Sequence, residues 1–186
     1  MKTIRPIPFA LPCVLLLALA ACGGCMRAIS EGVGLATGPK AVTSAVSPIS
    51  PIPRDVSLMR YANFELQFTD NFGGRTPPEV FWRLGPEFER AMAKKNIRIN
   101  RNGRTLLVRG EILHYETASH LDHVFGPLEE LIARVTFIDK PTGKTLGVYN
   151  CIGRSTHSVN IGLDKKIEGL AKAVATVIAN HYPGAK

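Results

Sequence analysis

Five residues within ten positions, His114, Glu116, His120, Asp122 and His123, are of the types that bind divalent metal. Imidazole nitrogen and carboxylate oxygen suit zinc, and a zinc with one open position would turn bound water into a hydrolytic nucleophile. The set is incomplete, because only His157 and His181 lie downstream to supply further imidazoles. The plainer expectation puts His114 on a sheet face and residues 117–125 in a polar, exposed loop. Ser155-Thr156-His157-Ser158 offers hydroxyls beside an imidazole, but neighbours along a strand point to opposite faces. There is also no G-x-S-x-G turn to hold a nucleophile, so this reads as a hydroxyl-rich strand end. A third constellation is charge. Arg90, Lys94, Lys95, Arg98, Arg101, Arg104 and Arg109 stand between Glu89 and Glu111 with no acid among them. Of these, Lys94, Lys95, Arg98, Arg101 and Arg104 form a candidate anion-binding patch for phosphate-bearing partners. The alternative is a solvated hairpin whose charges discourage edge-to-edge pairing.

The most informative chemistry lies near residue 22. Lys2 and Arg5 precede an apolar run, Phe9 to Ala21, and no acidic residue occurs before Glu31. As a helix the run would span about 20 Å, too little for a hydrocarbon core of roughly 30 Å. Pro12 weakens it further, and the pattern is that of a secretory signal peptide. It ends in Leu19-Ala20-Ala21-Cys22, which resembles the lipobox of bacterial lipoproteins. The resemblance implies that Leu19, Ala20 and Ala21 are recognised by the peptidase that removes residues 1–21. It also implies that the Cys22 thiol carries diacylglycerol and that the new amino terminus is acylated. Each buried methylene adds about 0.8 kcal/mol, so several chains attach the protein permanently. Gly23 follows the cysteine where that family's inner-membrane retention signal is acidic, which points to the outer membrane, facing the periplasm. Cys22-Gly23-Gly24-Cys25 is also C-x-x-C, yet it follows an apolar run rather than a strand and precedes no helix, which argues against a redox motif.

The chain has 186 residues, 45% hydrophobic and 20% charged, with a formal charge of +8. Removing residues 1–21 takes two of the 23 basic residues and none of the 15 acidic ones, leaving +6. That length suits one domain, or one domain with a tail, and four cysteines are too few for a disulfide-held scaffold. Residues 22–54 are rich in Ala, Gly, Ser and Pro and read as a flexible tether, leaving residues 55–186 as a single domain.

Within that domain Phe64, Leu66 and Phe68 alternate with polar residues as in a half-buried strand. Thr76-Pro77-Pro78-Glu79 reads as a capping box. Phe81, Leu84, Phe88 and Met92 follow at helical spacing, with Gly85-Pro86 expected to kink or split the helix before it stops near Asn96. Asn102-Gly103 predicts a hairpin joining 97–101 to 104–116. Two further strands carry Ala133, Val135 and Phe137, then Leu146, Val148 and Ile152, around a turn at Asp139 to Lys144 with Gly143 at the unusual dihedral. A closing helix over about 163–182 sets Ile167, Leu170, Val174, Val177 and Ile178 against Lys165, Lys166 and Lys172.

The order β-α-β-β-β-β-α predicts an α+β domain in two layers: a largely antiparallel sheet of four to five strands, covered by two amphipathic helices. The lipobox, the tether, Val108-Arg109-Gly110, the hairpin from Phe137 to Leu146 and the final helix together resemble small uncharacterised bacterial lipoproteins of the domain-of-unknown-function type. His120-Leu121-Asp122-His123 is similar to the end of the metallo-β-lactamase H-x-H-x-D-H motif, but Ala118 stands at the first histidine. The reading is of a non-enzymatic, lipid-anchored envelope lipoprotein, serving as a binding, assembly or transport accessory module without a cofactor. Its partners would be the membrane, through acylated Cys22, and an envelope protein or anionic envelope component, not nucleic acid. The alternatives are a periplasmic metal-binding protein or metal-dependent hydrolase using His114, His120 and His123, and an electrostatic binder of lipopolysaccharide or anionic lipid.

Overall fold

The computed structural model describes residues 42–100, 102–116, 129–155 and 162–183. Leu19, Ala20, Ala21, Cys22, Arg101, His120, Asp122 and His123 lie outside them. Val42–Lys186 is one compact unit. Its elements are β1 (Val42–Ser50), β2 (Asn63–Asp70), α1 (Pro78–Lys94), β3 (Thr105–Tyr115), β4 (Glu129–Asp139), β5 (Lys144–Ser155) and α2 (Gly162–Asn180). The strands form one open, mixed sheet in the order β1-β5-β4-β3-β2, with both helices in a second layer. The α+β class and the five strands are as expected, but one strand, β1, is not among those expected, and the expected strand over 97–101 does not form.

The first difference is β1. Its Ser and Pro content predicts a tether, yet these residues pair antiparallel with β5 from Val42↔Ser155 to Ser50↔Val148. As an edge strand β1 can tolerate Pro48, which lacks a donor, and the register shifts between Pro48 and Ser50. Small side chains suffice here because the backbone ladder holds β1, with Val46 its anchor against the core.

The second difference is the hairpin around Asn102-Gly103, which does not form. β3 pairs instead with β4, antiparallel, and with β2, parallel from Asn63↔Thr105 to Asp70↔Ile112. The segment β2-α1-β3 is thus a crossover, the connection that parallel neighbours require. Leu106, Leu107 and Val108 are all buried, in a strand paired along both of its edges, with β4 on one side and β2 on the other. Upstream, Asn96 at φ 59° takes the left-handed conformation. Its N–H reaches the Ala93 carbonyl and that of Ile97 the Met92 carbonyl, both at 3.0 Å. This is a Schellman closure with asparagine in the usual glycine place. It drives Ile97 into the core, where it cannot serve a surface strand.

α1 is one continuous helix despite Gly85-Pro86. Pro86 is exposed, so water can satisfy the carbonyl one turn back that proline leaves without a donor. Thr76 does not cap it. The N-cap is Pro77, and the Thr76 hydroxyl donates to Asp70 Oδ1 at 2.5 Å. Asp70 also accepts from the Phe72 N–H at 3.0 Å and the Gly74 N–H at 2.5 Å, gathering the connection from β2 to α1 around one carboxylate.

α2 buries Ile167, Leu170, Val174, Val177 and Ile178 as expected, with Ala171, Ala173 and Ala175 between. It lies over β5, β1 and β4, and α1 packs mainly on α2. Gly153 on β5 makes this seating possible: a Cβ there would come within 2.0 Å of the Lys166 carbonyl oxygen and 2.4 Å of the Leu170 nitrogen. Gly143 supplies φ 71° in the β4–β5 turn, as expected. Among the described residues no helix is long and apolar enough to cross a membrane.

Candidate binding surfaces

His114 stands near the end of β3, beyond a register shift after Ile112. Its ring meets Phe72 edge-on at 5.4 Å, and Nε2 is 3.7 Å from Glu116 Oε2. It is half-buried, in keeping with its expected place on the sheet. Glu116 is in turn held by its backbone: its carbonyl accepts from Lys166 Nζ at 2.6 Å. No three His, Cys, Asp or Glu side chains among the described residues are grouped to hold a metal ion.

The anion-binding patch loses Arg104. Its Nε and a terminal nitrogen donate to Asp139 at 3.0 and 2.6 Å, a bidentate pair closing the end of the sheet where β3 begins and β4 stops. Asp139 is only 3% exposed. It also accepts from the Thr142 hydroxyl at 2.5 Å. The guanidinium and the Thr142 hydroxyl hold its carboxyl far below the usual carboxylate range. Arg104 therefore serves the fold, because Asp139, distant in sequence, meets it across the β3–β4 ladder. Lys94, Lys95 and Arg98 remain around the C-terminus of α1. Lys94 and Arg98 are exposed and Lys95 is half-buried. The open groove beside them, about 720 Å³, is lined by Glu89, Ala93, Asn96, Ile97, Arg98 and Ile99. Among the described residues one acid, Glu89, and one base, Arg98, line it.

Lys166 departs from its expected place on the polar face of α2. It is buried, with its ammonium 4.4 Å from the centroid of the Tyr115 ring. Its spacing of four from Leu170 puts it on the apolar stripe, a signal present in the sequence. The ammonium ties the second turn of α2 to the end of β3.

Cys151 is a free cysteine on the core face of β5. Burial pushes its thiol up to about 12, so at neutral pH almost none is thiolate. Native protein treated with iodoacetamide at pH 8 should leave Cys151 unmodified, and denatured protein should be fully alkylated there, as read by peptide mass. Alkylation in the native state at the denatured rate would contradict the seating of α2 over β5.

A further cleft, about 420 Å³, lies between β2 and α1. It is lined by Leu66, Gln67, Phe68, Phe81, Trp82, Leu84 and Gly85. Trp82 was not among the candidate residues. Its position off the stripe of Val80, Leu84 and Phe88 could have revealed it as an outward aromatic.

No family model matches the chain, and no curated protein does. Among solved structures it is similar to two structures of the PelC dodecamer from Paraburkholderia phytofirmans. Both are 15% identical; their TM-scores are 0.49 and 0.48, and the matches cover 76% and 72% of this chain and 99% and 96% of those chains. It is also similar to a minor lipoprotein from Acinetobacter baumannii, at 17% identity and TM-score 0.35, with 64% of this chain and 93% of that one covered.

Proposed function

We propose that the protein is a lipid-anchored lipoprotein of the bacterial envelope, held at the outer membrane and facing the periplasm. Its α+β domain acts there as a binding or assembly module rather than as an enzyme. The observation that carries this reading is Leu19-Ala20-Ala21-Cys22 at the end of an apolar run, with β1 opening at Val42. The motif supplies small residues for a narrow peptidase cleft and a thiol for lipid transfer. The chain then reaches a folded unit within twenty residues. Function in this reading is positional: attachment raises the effective concentration of the domain for any partner within reach of the bilayer.

Cells fed labelled palmitate should incorporate it into the native protein and not into the Cys22→Ser variant. The intact mass of detergent-solubilised native protein should correspond to loss of residues 1–21 and gain of acyl groups. Met1 still in place, or a free thiol at Cys22, would overturn the proposal.

A further inference from the structure

Trp82 is the only tryptophan in the chain. Among the described residues it is also the most exposed of the large apolar side chains, with 65% of its surface open. It stands where the helical layer runs out. α1 lies mainly against α2 and touches β2 only lightly, so Leu66 and Phe68 on β2 are half-buried. The cleft of about 420 Å³ therefore opens beside the indole. Arg83 lies 5.7 Å from the Trp82 ring centroid and is bonded to Asp164. In the connection just before α1, Arg75 lies 4.6 Å from the centroid of the half-buried Phe72 ring.

We propose that this seam, with Trp82 at its rim, rests on the phospholipid bilayer to which Cys22 is joined, the indole lying at headgroup level. The proposal rests on the anchoring at Cys22 and adds a surface to it. An indole has a large apolar body and one N–H donor, which suits it to the boundary between acyl chains and headgroups. Arg75, in the connection before α1, carries guanidinium donors suited to a headgroup phosphate.

Location supports the same occupant. Val42 pairs with Ser155, and the strand ends Ser155, Tyr115 and Asp70 lie at one end of the sheet. α1 starts from that end, and Trp82 is in its second turn. Across the sheet the outer strands are about 19 Å apart. Val42 is twenty residues past Cys22, a span of at most about 70 Å, and a unit of this size has a radius of gyration of about 15 Å. The bilayer is within reach of the far edge of the sheet. Among the described residues the other large exposed apolar side chains, Ile49 and Met59, sit at the opposite end, near the close of β1 and in the connection whose Leu58 bonds to His181.

Because Trp82 is the only tryptophan, its fluorescence reports on this surface alone. Native acylated protein is reconstituted into phosphatidylcholine–phosphatidylglycerol vesicles, with and without phosphatidylcholine brominated near the headgroup end of its chains. Vesicle flotation reads anchoring, and emission reads docking. The proposal expects blue-shifted emission, at least twofold quenching by the brominated lipid, and a severalfold loss of iodide quenching relative to the Cys22→Ser protein in solution. Protein that floats with the vesicles but keeps a water-like, iodide-accessible, bromine-insensitive emission would overturn the docking surface and leave the anchor intact. Failure to float, with an unmodified thiol at Cys22, would overturn both. Shielding from iodide that needs no lipid and grows with protein concentration would assign the seam to a second copy of the chain and overturn the proposal.

Discussion

The Gly153→Ala variant should lose about 3 kcal/mol or more of stability, one of the two largest effects expected in the domain. The added methyl would meet the Lys166 carbonyl oxygen at 2.0 Å and the Leu170 nitrogen at 2.4 Å. Both are backbone atoms, so no rotamer change relieves the contact. α2 must lift from β5, and the buried stripe from Ile167 to Ile178 loosens with it. Gly110→Ala is the informative comparison. There the nearest atoms, at 2.1 to 2.5 Å, belong to the Phe68 ring, a half-buried side chain on an edge strand that can swing aside. Urea unfolding of the full-length Cys22→Ser protein, followed by circular dichroism, should show a much larger fall in midpoint for Gly153→Ala. Equal midpoints for the two variants would mean that α2 does not sit directly on β5.

The second large effect belongs to Asp139. Asp139→Ala removes both bonds to Arg104 and the one to Thr142. It leaves the guanidinium at the sheet end, 5.7 Å from the Tyr61 ring centroid, without its counter-charge. Losing one partner of a buried pair costs about 3–5 kcal/mol. Arg104 is 39% exposed on its side chain, so water screens part of that loss, and about 2–3 kcal/mol is expected. The sign of the pH dependence follows from the lowered folded-state pKa. The stabilisation is complete above the ordinary carboxylate value, near pH 4. It is lost as the pH falls below that value, because the unfolded chain takes up the proton first. Asp70, lowered chiefly by its bond from Thr76, adds to the same acid sensitivity. Unfolding free energy measured from pH 7 down to pH 2.5 should fall less steeply in Asp139→Asn than in the parent. Parallel curves would show that the carboxylate is not held as described.

The elements legible in the sequence were those whose residues signal strongly by themselves. The alternation around Phe64 marks β2, the apolar stripe from Ile167 to Ile178 marks α2, and Gly143 marks the β4–β5 turn. Each of these depends on neighbours close in the chain. β1 depends instead on a ladder with β5 a hundred residues away, and its Ser- and Pro-rich residues carry no periodicity of their own. The false hairpin has a similar cause. Asn102-Gly103 does make a turn, with the Gly103 N–H 3.2 Å from the Asn100 carbonyl. Yet the Schellman closure at Asn96 has already turned Ile97 inward, and β2 holds the edge of β3 that the hairpin needed. Of the candidate residues, His114 lies on the sheet as expected. Arg104 reads as a free cation because its partner lies thirty-five positions on, and Lys166 reads as solvated by its charge although its spacing from Leu170 places it on the apolar stripe. Trp82 went unremarked because an aromatic in an amphipathic helix is ordinarily read as core.

The place of β1 also sets how the domain bears mechanical load. Tension on the chain upstream reaches the fold at Val42, the first residue of a strand hydrogen-bonded on one side only. The β1–β5 ladder takes that pull before any other part of the sheet. Rupture there would peel away nine residues and leave β5, β4, β3 and β2 paired beneath α2. On the proposed anchoring at Cys22, the domain would carry its breakable link at the point where it is tied, and the rest of the sheet would be insulated from the rope.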